Sequence, residues 1–164
     1  MSVNIQCVTE IAAAPRRVFD ISLNVGAHVA SMGKSHEKVV AGVLAGQLTL
    51  GQEVTWRAWH FGIPWTMTSR VTALDSPRSF TDEQVKGPFA SFRHVHIFEP
   101  VTDEGLVGGV ATRMTDQVTF SAPLGPLGGL AERTFLQRHM RQLFMMRNQF
   151  LQSALQADTG FIGD

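Results

Sequence analysis

The 164-residue sequence predicts an α+β fold of the helix-grip kind. A curved, seven-stranded antiparallel sheet wraps one long C-terminal helix, with two short helices between the first and second strands. Three observations predict it. Residues 39–120 carry six successive runs rich in β-branched and aromatic residues, each bounded by turn residues. A seventh, alternating run, VNIQCVTEI (3–11), stands apart at the N-terminus. Residues 129–156 lack Pro and Gly after Gly129 and repeat apolar residues three and four apart, the mark of an amphipathic helix.

The elements follow in order. Pro15, whose missing N–H costs nothing in a first helical turn, opens a short helix over about 15–21. Asn24 caps a second that runs to about Met32 and stops at Gly33. The strand runs are 39–48, 53–61, 64–74, 78–85, 92–101 and 108–120. Their turns fall at Leu50-Gly51, Gly62-Ile63-Pro64, Asp75-Ser76-Pro77, Gly87-Pro88 and Asp103-Glu104-Gly105. After Pro123 the segment LGPLGG is a loop, and Phe135, Leu136, Met140, Leu143, Phe144, Phe150, Leu151, Ala154 and Leu155 form the helix's apolar face. No repeat or linker divides the chain, so one domain, 1–164, is expected.

Composition narrows the function. Fourteen basic residues balance fourteen acidic ones, which argues against nucleic acid or an anionic membrane as a partner. The chain has 11 Phe and 3 Trp but no Tyr, so its aromatic surface is almost wholly apolar and polar chemistry falls to other residue types. A single cysteine, Cys7, excludes an intrachain disulfide and multi-thiolate zinc sites; it reads as a small buried strand residue. The N-terminus lacks a signal-peptide pattern and no apolar run is long enough to span a bilayer, so a soluble cytoplasmic protein without stable membrane insertion is expected. Phosphate-loop, GxGxxG, GxSxG and HExxH motifs are absent.

Strand parity sorts side chains between a covered face and a wet one. Val54, Trp56, Ala58 and His60 turn inward, opposed by Glu53, Thr55, Arg57 and Trp59. Trp65, Met67, Ser69, Val71 and Ala73 turn inward on the next strand, with Thr66, Thr68, Arg70 and Thr72 outside. Phe80, Phe98 and Phe120 then carry polar neighbours in with them: Asp82 and Gln84, His94 and His96, Thr112, Met114 and Asp116. A turn centred near 88 pairs Asp82 with His94, and a loop centred near 105 pairs His94 with Asp116.

Such an Asp–His–Asp ladder can satisfy itself, orient the polar end of a ligand, or move a proton. Arg147 shares the stripe 136, 140, 143, 147, 150, 154 and needs an inner carboxylate, Asp116 or Asp82, or an anionic ligand group. Met67, Met114, Met140, Met145 and Met146 suit either plain core or an adaptable pocket. His94-Val95-His96 has a spacing metal sites use, but the further donors His60 and Asp116 lie on other strands and no thiolate or helical HxxxH supports them; no metal is assigned. His28, His36 and His139, the last beside Arg138 and Arg141 on the helix's polar side, are expected to have no role.

The element order, with VTWRAWHFG (54–62), SFTDEQVKGPFASFRHVHIFE (79–99), TRMTDQVTF (112–120) and PLGPLG (123–128), resembles the SRPBCC superfamily of START-like lipid carriers, pollen-allergen-like proteins, ubiquinone-binding chaperones and polyketide cyclases, in its bacterial ligand-binding or cyclase-like branch. The resemblance implies a cavity between sheet and helix and no particular reaction. A binding or transport module for a small-to-medium hydrophobic molecule is the first expectation. Its walls would be Trp56, Trp65, Met67, Phe98, Met114, Phe120, Met140, Leu143 and Phe144, and its polar contacts His60, His94, His96, Asp116 and Arg147. The alternative is a polyketide cyclase/dehydratase-like enzyme with His94 as acid or base and Asp82 or Asp116 as its orienter. A third reading, a protein-interaction module, rests on Trp59 facing solvent. No cofactor is expected, the partner is a small hydrophobic molecule, and a homodimer is left open.

Overall fold

A computed structural model describes residues 2–103, 109–121 and 135–159. The chain runs β1 (Val3–Ile11), α1 (Pro15–Ser22), α2 (Val25–Ser31), β2 (Lys38–Gly42), β3 (Glu53–His60), β4 (Ile63–Asp75), β5 (Ser79–Lys86), β6 (Ser91–Thr102), β7 (Val110–Ser121) and α3 (Gln137–Thr159). The strands form one antiparallel sheet in the order β1-β7-β6-β5-β4-β3-β2. The first strand closes against the last, so the sheet curves around α3, which packs on β1 and α2. The seven-stranded helix-grip architecture is therefore present, and no helix among the described residues is long and apolar enough to cross a membrane.

Local chemistry sets the ends of the elements. Pro15 occupies the first turn of α1, and the Asn24 side chain accepts the Ala27 N–H at 2.9 Å to cap α2. Phe61 and Gly62, both at positive φ, make the two-residue turn that joins His60 to its partner Ile63. The strand expected over 39–48 is shorter. A bulge between Val39 and Ala41 and the positive φ of Gly42 end pairing there, and a Cβ at Gly42 would lie 2.3 Å from the Glu53 carbonyl oxygen. The C-terminal helix begins at Gln137; the LGPLGG loop and residues 129–134 lie outside the described residues.

Parity holds except where bulges intervene. Val54, Trp56, Ala58, Ser69 and Val71 are buried as expected, and Trp59 faces solvent. Ala73 is exposed: the register slips between Val71 and Ala73, so Leu74 takes the place opposite Phe80. The main core gathers Phe19, Phe80, Phe98, Met114 and Leu151 below α1. A second cluster unites Ile5, Cys7, Phe92, Val118, Phe120 and Phe144 between the β1–β7 side and α3. Each fully buried Phe or Leu contributes about 1.5–3 kcal/mol of transfer free energy.

Candidate functional site

The gap between sheet and α3 is not filled. Two adjoining cavities occupy it, one of about 120 Å³ and one of about 80 Å³. Trp56, Ala58, Trp65 and Met67 from β3 and β4, Phe89 from the β5–β6 turn, Phe92 from β6, and Met140, Leu143 and Phe144 from α3 wall the larger. The smaller runs toward α2 and ends on Phe80, His96 and Arg147. Asp82 and His94 line both, so the polar groups lie where the two spaces meet.

Those groups form one buried network. Asp82 stands directly opposite His94, as the turn centred near 88 predicts. The β6–β7 hairpin is centred further along the chain than expected: Asp103 N–H closes its loop onto the Gly109 carbonyl, and Asp116 stands opposite His96 instead of His94. A two-residue slip keeps every side chain on its face, so Asp116 still reaches both rings. His94 Nε2 lies 2.8 Å from Asp116 Oδ1, and Asn148 Nδ2 donates to Asp116 Oδ2 at 2.7 Å and to Thr9 Oγ1 at 3.2 Å. Arg147 Nη1 donates to Asn148 Oδ1 at 3.2 Å and sits 3.6 Å from Asp116 Oδ1. His96 Nε2 lies 3.0 Å from Asp82 Oδ2.

The electrostatics assign protons. Burial pushes the Asp116 carboxyl up, but the hydrogen bond from His94, the close approach of His96 and the charge of Arg147 outweigh it and hold the group well below the usual carboxylate range. Asp82 is likewise held low: burial raises it, and the His96 hydrogen bond and the neighbouring imidazoles overcome that. Burial, then the neighbouring His96, push His94 down to about 4 despite both carboxylates. An ionised Asp116 can only accept, so His94 carries its proton on Nε2 and presents a bare Nδ1, 3.9 Å from Asp82 Oδ2. His96 Nδ1 lies 3.0 Å from Asp116 Oδ1 without the alignment a hydrogen bond requires, and is left as a buried nitrogen with no partner.

At the other end of the larger cavity His60 and His139 meet, Nε2 of His139 3.2 Å from Nδ1 of His60. His139 thus turns toward the sheet and the cavity, not to the helix's polar side, because it lies three residues from Leu136 and four from Leu143. Phe61 packs at a tilt on His139 and on Phe135, the latter 61% exposed, with ring centroids 4.4 and 4.8 Å away, and the two phenyl rings form an apolar collar. His28 also lines both cavities, with its ring 4.2 Å from Trp56 and Nε2 2.5 Å from Glu37.

Of the residues expected at the site, Trp56, His60, Trp65, Met67, His94, Met140, Leu143 and Phe144 line the larger cavity, and His96 and Arg147 the smaller. Asp116 lies one layer behind, 1% exposed. Phe98, Met114 and Phe120 are packed in the core and line neither space. Sequence reasoning missed Asn148, which the spacing 144, 148, 151, 155 places on the buried stripe, and Phe89, whose loop is held by Gln84 Nε2 donating to the Phe89 carbonyl at 2.8 Å.

Comparison with known proteins places this architecture. TTHA0849 from Thermus thermophilus superposes with a TM-score of 0.72 at 18% identity, covering 95% of this chain and 99% of its own. Ara h 8.0201 gives 0.60 at 13% identity over 93% and 99%. The Panax ginseng major latex-like protein 151 gives 0.59 at 13% over 93% and 97%. At these identities the likeness is one of fold. No curated protein matches the sequence. The sequence model of polyketide cyclase/dehydrase and lipid transport proteins matches residues 2–154. With that match over nearly its whole length, the chain belongs to the polyketide cyclase/dehydrase and lipid transport family.

Proposed function

We propose that the protein binds a small hydrophobic molecule in the cavity between sheet and α3, with the molecule's polar end set against His94 and Asp82. The observation that carries this reading is an apolar cavity whose polar groups converge at one place. At about 120 Å³ it is close to the roughly 150 Å³ dry cavity known to hold one benzene, so a single-ring molecule fits and a longer one must reach into the adjoining space of about 80 Å³. Both His94 Nδ1 and Asp82 Oδ2 accept, so the preferred ligand brings an O–H or N–H donor to bridge them.

Family membership supports a hydrophobic ligand and equally a second reading, cyclase/dehydratase-like catalysis. The observation favouring that reading is the neutral His94, fixed by Asp116 with its free nitrogen toward the cavity, the arrangement of an oriented general base. Native mass spectrometry of protein purified from its own host tests the first reading: a co-purifying small apolar molecule is expected. Loss of that molecule in His94→Ala with no turnover of it by the native protein supports carriage, whereas turnover that His94→Ala abolishes at unchanged affinity supports catalysis. Protein that is ligand-free and excludes single-ring aromatics contradicts both.

A further inference from the structure

The polar end of the cavity has a defect that a ligand made of carbon and oxygen does not repair. Asp82 and Asp116 each lie against imidazole nitrogens, and a carboxylate oxygen there is matched only by a nitrogen that carries its proton. His94 meets this rule on its Asp116 side. His96 does not: with its proton on Nε2 toward Asp82, its Nδ1 turns a lone pair on Asp116 Oδ1 at 3.0 Å. Two acceptors thus face each other in a buried place, where such a mismatch is unfavourable.

We propose that Asp82, His94 and His96 form a site for a divalent transition-metal ion, with Asp116 as the shared acceptor behind both rings. The three donor atoms lie within 4.8 Å of one another. Asp82 Oδ2 is 3.0 Å from His96 Nε2 and 3.9 Å from His94 Nδ1, which bracket the roughly 3.4 Å that separates donors around a tetrahedral ion with bonds near 2.1 Å. An ion there takes the lone pairs of His94 Nδ1 and His96 Nε2. The His96 proton then resides on Nδ1, where it faces Asp116 Oδ1 at 3.0 Å in place of a lone pair, with no net gain or loss of protons by the ring. Both histidines would turn their second N–H toward a carboxylate, the arrangement that orients imidazole ligands and raises their basicity. Asp116 is itself fixed by Asn148 and Arg147, so the supporting layer is already built.

Two imidazoles and one carboxylate select zinc, iron(II) or cobalt(II) over calcium and magnesium, which prefer all-oxygen sets. Three protein ligands leave a fourth position, and Asp82 and His94 face both cavities, so that position opens to whatever occupies them. The site stands on the side-chain geometry and does not depend on the cavity's ligand.

The test is titration of chelator-treated protein with Zn²⁺ and Co²⁺. One ion per chain is expected, with a Co²⁺ visible spectrum of nitrogen–oxygen ligation. Asp82→Asn and His96→Gln should each weaken binding by about 10- to 100-fold or more, while His36→Asn, exposed and outside both cavities, leaves it unchanged. Should either site variant fail to fold, ¹⁵N spectra of the native protein decide: Zn²⁺ should move the His94 and His96 ring nitrogens and leave His139 in place. Absence of saturable Zn²⁺ and Co²⁺ binding, equal affinity for Ca²⁺, or binding that survives intact in folded Asp82→Asn and His96→Gln would each overturn the proposal.

Discussion

Two pairs of histidines stand at opposite ends of the space between sheet and α3, in opposite surroundings. His94 and His96 sit at the floor, 5% and 3% exposed, between two carboxylates, of which Asp116 is braced by Arg147 and Asn148. His60 and His139 sit at the mouth, half-buried, bonded to each other and edged by the exposed rings of Phe61 and Phe135. The floor gets its geometry from charge and hydrogen bonds in a low-dielectric place, whereas the mouth gets its geometry from apolar contact open to water. The same residue type is therefore a fixed polar anchor at one end and part of a door frame at the other.

The comparison breaks most severely at Asp116. Asp116→Ala removes the acceptor of His94 and Asn148 and leaves the Arg147 guanidinium buried without its carboxylate. A loss of about 3–5 kcal/mol is expected, read from urea unfolding midpoints. A loss under about 1 kcal/mol would mean that the floor is solvated like a surface ion pair.

Filling the space between the two ends is the next largest effect. Ala58 is buried on β3 and lines the larger cavity, so Ala58→Leu puts extra methylenes where the ligand belongs. Binding of a single-ring aromatic should weaken at least tenfold, about 1.4 kcal/mol by calorimetry. Unchanged binding would place the ligand elsewhere.

The mouth should respond weakly. Burial holds His60 below its ordinary 6.5, and burial together with His60 holds His139 below the same value. The folded state then binds fewer protons than the unfolded chain once the pH drops below about 6.5, so this contribution to stability is complete above that pH and is lost as the pH falls through it toward the depressed folded values. An NMR titration should find both rings below 6.5 and the His139 midpoint rising in His60→Gln; a His139 midpoint that stays put would uncouple the pair. Smallest of all, Phe135→Ser should leave stability within about 0.5 kcal/mol while speeding ligand release, measured by stopped-flow fluorescence.

The two ends also differ in how far the sequence reveals them. At the floor, period-two alternation puts Asp82, His94, His96 and Asp116 on one face, and the tight Gly87-Pro88 turn is short enough to fix Asp82 against His94. The partner of Asp116 lies two residues from the expected one because a longer loop has no unique centre, yet the face survives. Asn148 stays hidden because a lone amide on an apolar stripe carries no pattern of its own. The mouth is less legible. His139 looks polar beside Arg138 and Arg141, and its packing on His60 depends on how α3 crosses the β3–β4 turn, a contact 79 residues apart in sequence. Bulges are equally silent: nothing in VTALD announces the slip that turns Ala73 outward.

The central claim is that the ligand enters the cavity between sheet and helix and reaches the floor. It is tested most directly by ¹H–¹⁵N NMR during titration with a single-ring phenol. Trp56, whose indole N–H donates to Ser69 Oγ at 3.2 Å on the cavity wall, should shift saturably together with the His94 ring, while the indole of Trp59, 53% exposed on the opposite face, stays still. Shifts confined to Trp59, or none at Trp56 and His94, would contradict the account.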